Sequence, residues 1–363
     1  MNRERIQRLQ QTLQSDGVAC ALIVPGPDLF YLTGLKMRMS ERITIVAIPA
    51  SGEPVFIAPR LEADKLREYT GIKDVFDYVD EVGPLDAARQ ALAKINVRDR
   101  VVGAEYRYMR LLERDLVERA GAPAGFRDIG DVIAEMRMIK DADEQAALQR
   151  ACEIVDIGAA AAQAAIAPGV SEREVAAAVE RAMLAAGADA IPFNTILGGP
   201  NGALPHGLTG DRPIQAGEMV VCDIGAEYHG YQGDITRTYP CGKPDPKMVE
   251  IYQIVYEAQK HCREKARAGM SGAEIDSLAR DIIARAGYGE YFFHRTGHGL
   301  GLEVHEEPYI VQGNTRPLAA GMTFTIEPGI YLPGVGGVRI EDDVVLTADG
   351  NRVLTKSPRE LRA

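Results

Sequence analysis

Two stretches one hundred residues apart carry the same succession of signals, and this duplication constrains the fold more than any other feature of the chain. Gly169-x-Ser171-x-x-Glu174-Val175 recurs as Gly269-x-Ser271-x-x-Glu274-Ile275, and each copy runs on as a helical pattern to Ala-Gly at 186–187 and 286–287. A Ser-x-x-Glu box satisfies the free N–H groups of a helix start, so each copy predicts a capped helix. A longer helical pattern precedes each, Asp143–Ala164 and Lys247–Ala268. Each copy then leads to a histidine, His206 in Pro-His-Gly and His305 in Val-His-Glu. Next comes Ala-Gly and, six residues beyond that glycine, an acid, Asp223 or Glu327. A second acid follows, Asp234 after eleven residues and Glu341 after fourteen. So many matches in register mark one structural unit used twice within one domain.

Both acid-bearing segments read as β-hairpins: MVVCDIGA and DITRTY around EYHGYQG, and TFTIEPGIY and VRIEDDVVL around LPGVGG. A turn centred on Tyr228–His229 would set Asp223 directly opposite Asp234, about 5 Å apart on one face. A turn centred on Gly334 would set Glu327 opposite Glu341. Opposed ionised carboxylates are destabilising unless one is protonated or a cation lies between them. A solvated face is the bland alternative, but the acids sit in the apolar runs Val220-Val221-Cys222 and Phe324-Thr325-Ile326, where an unpaired charge costs several kcal/mol. A divalent metal is the simplest resolution. Period-two alternation puts Arg339, Glu341 and Asp343 on one face and Asp342 on the other, which rejects Asp342 as a partner of Glu341.

Three of the six histidines, His294, His298 and His305, fall within twelve positions, and His298 stands between glycines that permit close backbone approach. Carboxylates with one imidazole make an oxygen-rich site, favouring manganese, cobalt or iron over zinc. His229 at a turn tip and His261 on a helix have no acidic context and read as surface residues.

The first ~135 residues alternate short β-rich runs with helical patterns, the rhythm of an α/β domain. They are nearly neutral, with 21 acidic and 20 basic residues up to Met138, so most of the net charge of −11 lies beyond. A Gly/Pro/Ala break at 121–126 precedes a helical pattern over 136–155 and marks the domain junction. The 363 residues suit two domains. The acidic balance disfavours nucleic acid and anionic membranes as partners. The longest apolar stretch, Ile157–Val170, is interrupted by Gln163 and Pro168 and is too short to span a bilayer. An amphipathic N-terminal helix with no signal-peptide core predicts a cytoplasmic protein. Five cysteines without a CxxC pair read as structural.

The segments DIGAEYHGYQGDITRTY, HRTGHGLGLEVHEEPY, TIEPGIY and VRIEDDV resemble the signatures of the M24 metallopeptidases, in the proline-specific branch of Xaa-Pro dipeptidases (prolidases) and aminopeptidase P. The resemblance implies a creatinase/prolidase-type α/β N-terminal domain over 1–132 and an α+β pita-bread catalytic domain over 133–363. It places metal ligands at Asp223, Asp234, His298, Glu327 and Glu341, and catalytic histidines at His206 and His305. Two divalent ions, Mn²⁺ first and Co²⁺, Fe²⁺ or Zn²⁺ as alternatives, would share a hydroxide that attacks the scissile carbonyl. Glu327 would shuttle the proton. Arg339 would orient the carboxylates, or serve equally as a structural ion pair. His294 and Tyr309 are candidate substrate contacts. The expected partners are short proline-containing peptides and a second subunit in a homodimer. The basic segment Lys36, Arg38 and Arg42 would border the partner's cleft or form a solvated loop.

Substrate length turns on one departure. Prolidases resembling this chain often carry an arginine after the segment matching His305-Glu306-Glu307-Pro308, and here Tyr309 stands instead. A neutral phenol anchors a free carboxylate weakly, so the expectation is an aminopeptidase P-like enzyme acting on Xaa-Pro peptides, with a strict dipeptidase as the alternative. A metal-free creatinase-like hydrolase and a non-catalytic peptide-binding protein are the remaining readings.

Overall fold

The computed structural model describes residues 1–204 and 207–361. The chain divides into two compact units, Met1–Arg137 and Met138–Ala363. A junction at 132–133 would cut the helix Gly130–Met138, which belongs to the first unit almost in full. The helix read over 136–155 is in fact two. Asp141 caps a new helix, Ala142–Ala165, by accepting the Glu144 N–H at 2.9 Å, while the Glu144 carboxylate accepts the Asp141 N–H.

The first unit is a six-stranded mixed sheet in the order Val75–Tyr78, Val55–Pro59, Ile45–Pro49, Cys20–Ile23, Val101–Ala104, Gly125–Asp128. Its central strands are buried along their whole length, as expected where helices cover both faces. Lys36 and Arg38 are exposed, and Arg42 is bound to Asp80 at 2.7 Å.

In the second unit the repeat is realised in detail. Ser171 and Ser271 both cap their helices, Glu172–Ala185 and Gly272–Arg285, through the Glu174 and Glu274 N–H groups. The preceding glycines have matching left-handed backbones (φ 87° and 90°) and donate to Ile214 and Leu318. Each half has its own apolar core. The first packs Ile154, Val155, Val175 and Val179 onto Val220, Cys222, Ile224 and Ile235. The second packs Ile251, Val255, Ile275 and Ile283 onto Phe324, Ile326 and Val344. With those strand residues facing the helices, alternation turns Asp223, Asp234, Glu327 and Glu341 to the other face.

The first hairpin differs from the expected register. Its strands, Met219–Tyr228 and Tyr231–Pro240, pair Tyr228 with Tyr231 across a two-residue turn, so Asp223 opposes Thr236 and Asp234 opposes Gly225. His229 and Gly230 both have positive φ, 50° and 85°, the requirement of a tight turn matched to strand twist. The acids are therefore diagonal neighbours on one face rather than direct opposites. In the second hairpin the ladders Thr323–Ile326 with Asp342–Leu346 and Gly329–Leu332 with Gly336–Arg339 keep the Gly334-centred register, pairing Ile326 with Asp342 and Gly329 with Arg339. Glu327 and Glu341 lie in the gap between these ladders. Their N–H groups donate elsewhere, to Thr296 and Thr236.

Candidate metal centre

Three strands, with the gap between the two ladders of the second hairpin, deliver one convergent group. His298 comes from Gly297–Gly299, whose neighbours press so closely that a Cβ at Gly297 would lie 1.8 Å from the Thr325 carbonyl oxygen and one at Gly299 would lie 2.3 Å from that of Glu307. The flanking glycines thus serve strand-to-strand approach, which carries the imidazole into the cluster. Its Nε2 lies 3.3 Å from Glu327 Oε1 and 3.8 Å from Asp234 Oδ2, and its Nδ1 lies 3.1 Å from the Gly299 carbonyl oxygen. One ligand atom each from Asp234, His298 and Glu341 falls within 4.8 Å of the others, all three residues buried.

Charge is out of balance here. Asp234, Glu341, Glu327 and Asp223 converge, and the cation bound among them is Arg339, which donates to Asp223 and stands 4.0 Å from Glu327. Burial, compounded by Glu341, Asp223, Asp343 and Glu327, holds Asp234 well above the ordinary carboxylate range. Burial, with Glu327 and Asp223, does the same to Glu341. Glu327 is raised to about 7, again chiefly by burial. His298 is driven well below its usual value by burial and by His305. Asp234 Oδ1 is buried with no hydrogen-bond partner. An orphaned carboxylate oxygen beside further carboxylates and an imidazole nitrogen matches the donor set of a divalent transition metal.

Around these groups runs a supporting layer. Arg339 Nε donates to Thr236 Oγ1 at 2.9 Å, and Thr236 donates to Glu341 Oε2 at 2.6 Å. Arg339 also donates to Tyr331 Oη at 2.8 Å, which lies 3.0 Å from His294 Nε2. The two readings of Arg339 merge, since its ion pair is with a carboxylate of the cluster. His294 is thereby linked through Tyr331 to Arg339. His305 is exposed, its ring edge-on to His298 at 4.1 Å. His206 lies outside the described residues.

Asp343, Thr236 and Tyr331 escape a reading of the sequence. Asp343 Oδ2 accepts the Asp234 N–H at 2.8 Å and the Cys152 thiol at 3.1 Å, fixing the strand that carries Asp234. Its parity with Glu341 was the available signal. Tyr309 carries on its ring the guanidinium of Arg295, 4.4 Å from the centroid. A charge thus stands at the position where the sequence offers only a phenol.

Residues 146–348 match the metallopeptidase family M24, and residues 5–139 match the creatinase/prolidase N-terminal domain. The Xaa-Pro dipeptidase of Pyrococcus horikoshii is 40% identical over 359 residues, covering 99% of this chain and 98% of the relative. The solved prolidase of Thermococcus sibiricus superposes with a TM-score of 0.92 at 39% identity, covering 99% of this chain and 98% of its own. The X-Pro aminopeptidase of Thermotoga maritima gives 0.87 at 33% identity, with 98% of each chain covered.

Proposed function

The chain belongs to the M24 metallopeptidases, with a creatinase-type N-terminal domain and a pita-bread catalytic domain, and we propose accordingly that it is an Xaa-Pro dipeptidase. The observation that carries the reading is the cluster of Asp223, Asp234, Glu327 and Glu341 with His298, three of the five fully buried, short of cations and with one carboxylate oxygen orphaned. Relatives near 40% identity over the whole chain carry dipeptidase or prolidase names. They favour the dipeptidase over the aminopeptidase expected from Tyr309, and Arg295 on the Tyr309 ring removes the physical basis of that expectation.

Asp223, Asp234, His298, Glu327 and Glu341 would hold two divalent ions. When bound, such ions polarise a carbonyl and lower the pKa of water. The protein's own groups do the rest. Glu327 accepts the proton of the attacking water and delivers it to the prolyl nitrogen as the peptide bond breaks. His305, on the exposed side of His298, donates to the oxygen on which charge develops. His206 shares that task on the sequence reading. Arg339 keeps Asp223 in place, and Thr236 keeps Glu341 in place.

Dialysis against a chelator should abolish hydrolysis of an Xaa-Pro dipeptide, and Mn²⁺ should restore it. Asp223→Ala and Glu327→Ala should fold yet lose about three orders of magnitude or more in kcat/KM. Full activity in a verified metal-free sample contradicts the proposal.

A further inference from the structure

The arginines that pack around the core of the second unit are mostly spoken for. Arg339 is bound to Asp223, Arg237 and Arg359 to Asp342, and Arg280 to Asp276. Arg295 is different. It forms no ion pair among the described residues, is half-buried, and holds its guanidinium carbon over the Tyr309 ring, 4.4 Å from the centroid. It stands three residues before His298 and next to Thr296, whose carbonyl oxygen accepts the Glu327 N–H at 2.8 Å, so the segment that carries Arg295 adjoins the carboxylate cluster. Tyr309 is itself fixed, its N–H donating to Glu307 Oε2 at 3.1 Å and its carbonyl accepting from Asn314 Nδ2 at 2.7 Å. An oriented, uncompensated guanidinium on an aromatic platform has its forked N–H edge available for a planar anion.

We propose that Arg295, held by Tyr309, binds the free α-carboxylate of the proline in an Xaa-Pro dipeptide. The inference rests on the dipeptidase reading above and deepens it by naming the group that measures substrate length. That carboxylate is one carbon from the scissile nitrogen, so the cation that receives it must border the cluster, which the segment carrying Arg295 adjoins. A longer peptide or a C-terminal amide offers no negative charge there and loses the contact. Tyr309 is a positioning residue: it orients the guanidinium without touching substrate.

The test compares kcat/KM for an Xaa-Pro dipeptide with that for its C-terminal amide, using manganese-loaded full-length protein. The wild type should favour the free acid strongly, and Arg295→Ala should cut the acid-to-amide ratio by about 30-fold, the value of a charge-assisted hydrogen bond. Arg295→Lys keeps the charge but loses the planar stack, and should retain part of the preference. Tyr309→Leu should raise KM for the acid more than it lowers kcat. If the wild type shows no preference for the acid, the dipeptidase reading itself fails. If the wild type prefers the acid and both Arg295 variants preserve the full ratio, that reading stands and the assignment of Arg295 is overturned. It is equally overturned if Arg295→Ala changes only the choice between acidic and basic residues before proline. Should Arg295→Ala not fold, competitive inhibition by proline against prolinamide in the wild type and Arg295→Lys gives the same contrast, and equal inhibition by the two rejects the proposal.

Discussion

Glu341 and Asp342 are consecutive, both fully enclosed, and turned to opposite sides of the chain where the strand Asp342–Leu346 begins, yet their surroundings could hardly differ more. Asp342 faces the helices with Val344. It accepts from Arg237 Nη2 at 2.8 Å, from Arg359, from Gln259 at 2.6 Å and from Thr355 at 2.8 Å, with Arg263 at 3.8 Å. Although burial opposes ionisation, these cations hold its carboxyl below the ordinary range. Glu341 faces three other carboxylates with a hydroxyl, from Thr236, as its one hydrogen-bonding side chain among the described residues. A protein that supplies two close arginines to one buried acid and leaves its neighbour in deficit has a structural charge on one face and a site for an external cation on the other.

The first unit offers a third case. Glu105 and Asp28 are buried together, the Asp28 carboxylate receives Arg137 at 2.6 Å, and Glu105 accepts the Val24 N–H at 3.2 Å. Burial and the neighbouring Asp28 carry Glu105 well above its usual range, which favours its neutral form. One proton suffices for two carboxyls and one arginine; four carboxyls and one arginine call for more.

Neutralising each neighbour in turn, in metal-stripped protein, puts this contrast at risk. Asp342→Asn strands Arg237 and Arg359 in the interior and should cost about 3–5 kcal/mol by denaturant unfolding. Glu341→Gln relieves crowding instead, and should be neutral or stabilising by up to about 2 kcal/mol while abolishing metal-dependent activity. Equal losses from the two would remove the distinction. A weaker effect belongs to Glu105. Its folded-state pKa is raised, so the stability it contributes is complete below the unfolded-state pKa and is lost as pH rises through the folded value. The slope for that one proton is at most about 1.4 kcal/mol per pH unit. Glu105→Gln should match wild-type stability in mild acid and decline less toward alkaline pH.

Parity along strands made the acid faces legible in the sequence, because one buried face leaves a period-two pattern little freedom. The Gly334-centred register was legible for the same reason. The first register was not, since recognising His229-Gly230 as a tight turn requires knowing that a histidine takes positive φ there. Capping boxes announced both repeat helices, whereas the Asp141-x-x-Glu144 box, which starts a new helix, was passed over in reading one continuous helical pattern across 136–155. The supporting layer was least visible. Arg339 reaching Asp223 and Arg295 reaching Tyr309 join residues 116 and 14 positions apart, and no local pattern encodes such contacts.

Whether the carboxylate deficit is a cation site is decided by titrating Mn²⁺ into chelator-stripped protein in a calorimeter. Saturable binding of two ions per chain is expected, reduced in Asp234→Asn and preserved in Glu105→Gln. Absence of saturable binding of Mn²⁺, Co²⁺, Fe²⁺ or Zn²⁺ to the folded wild type would contradict it.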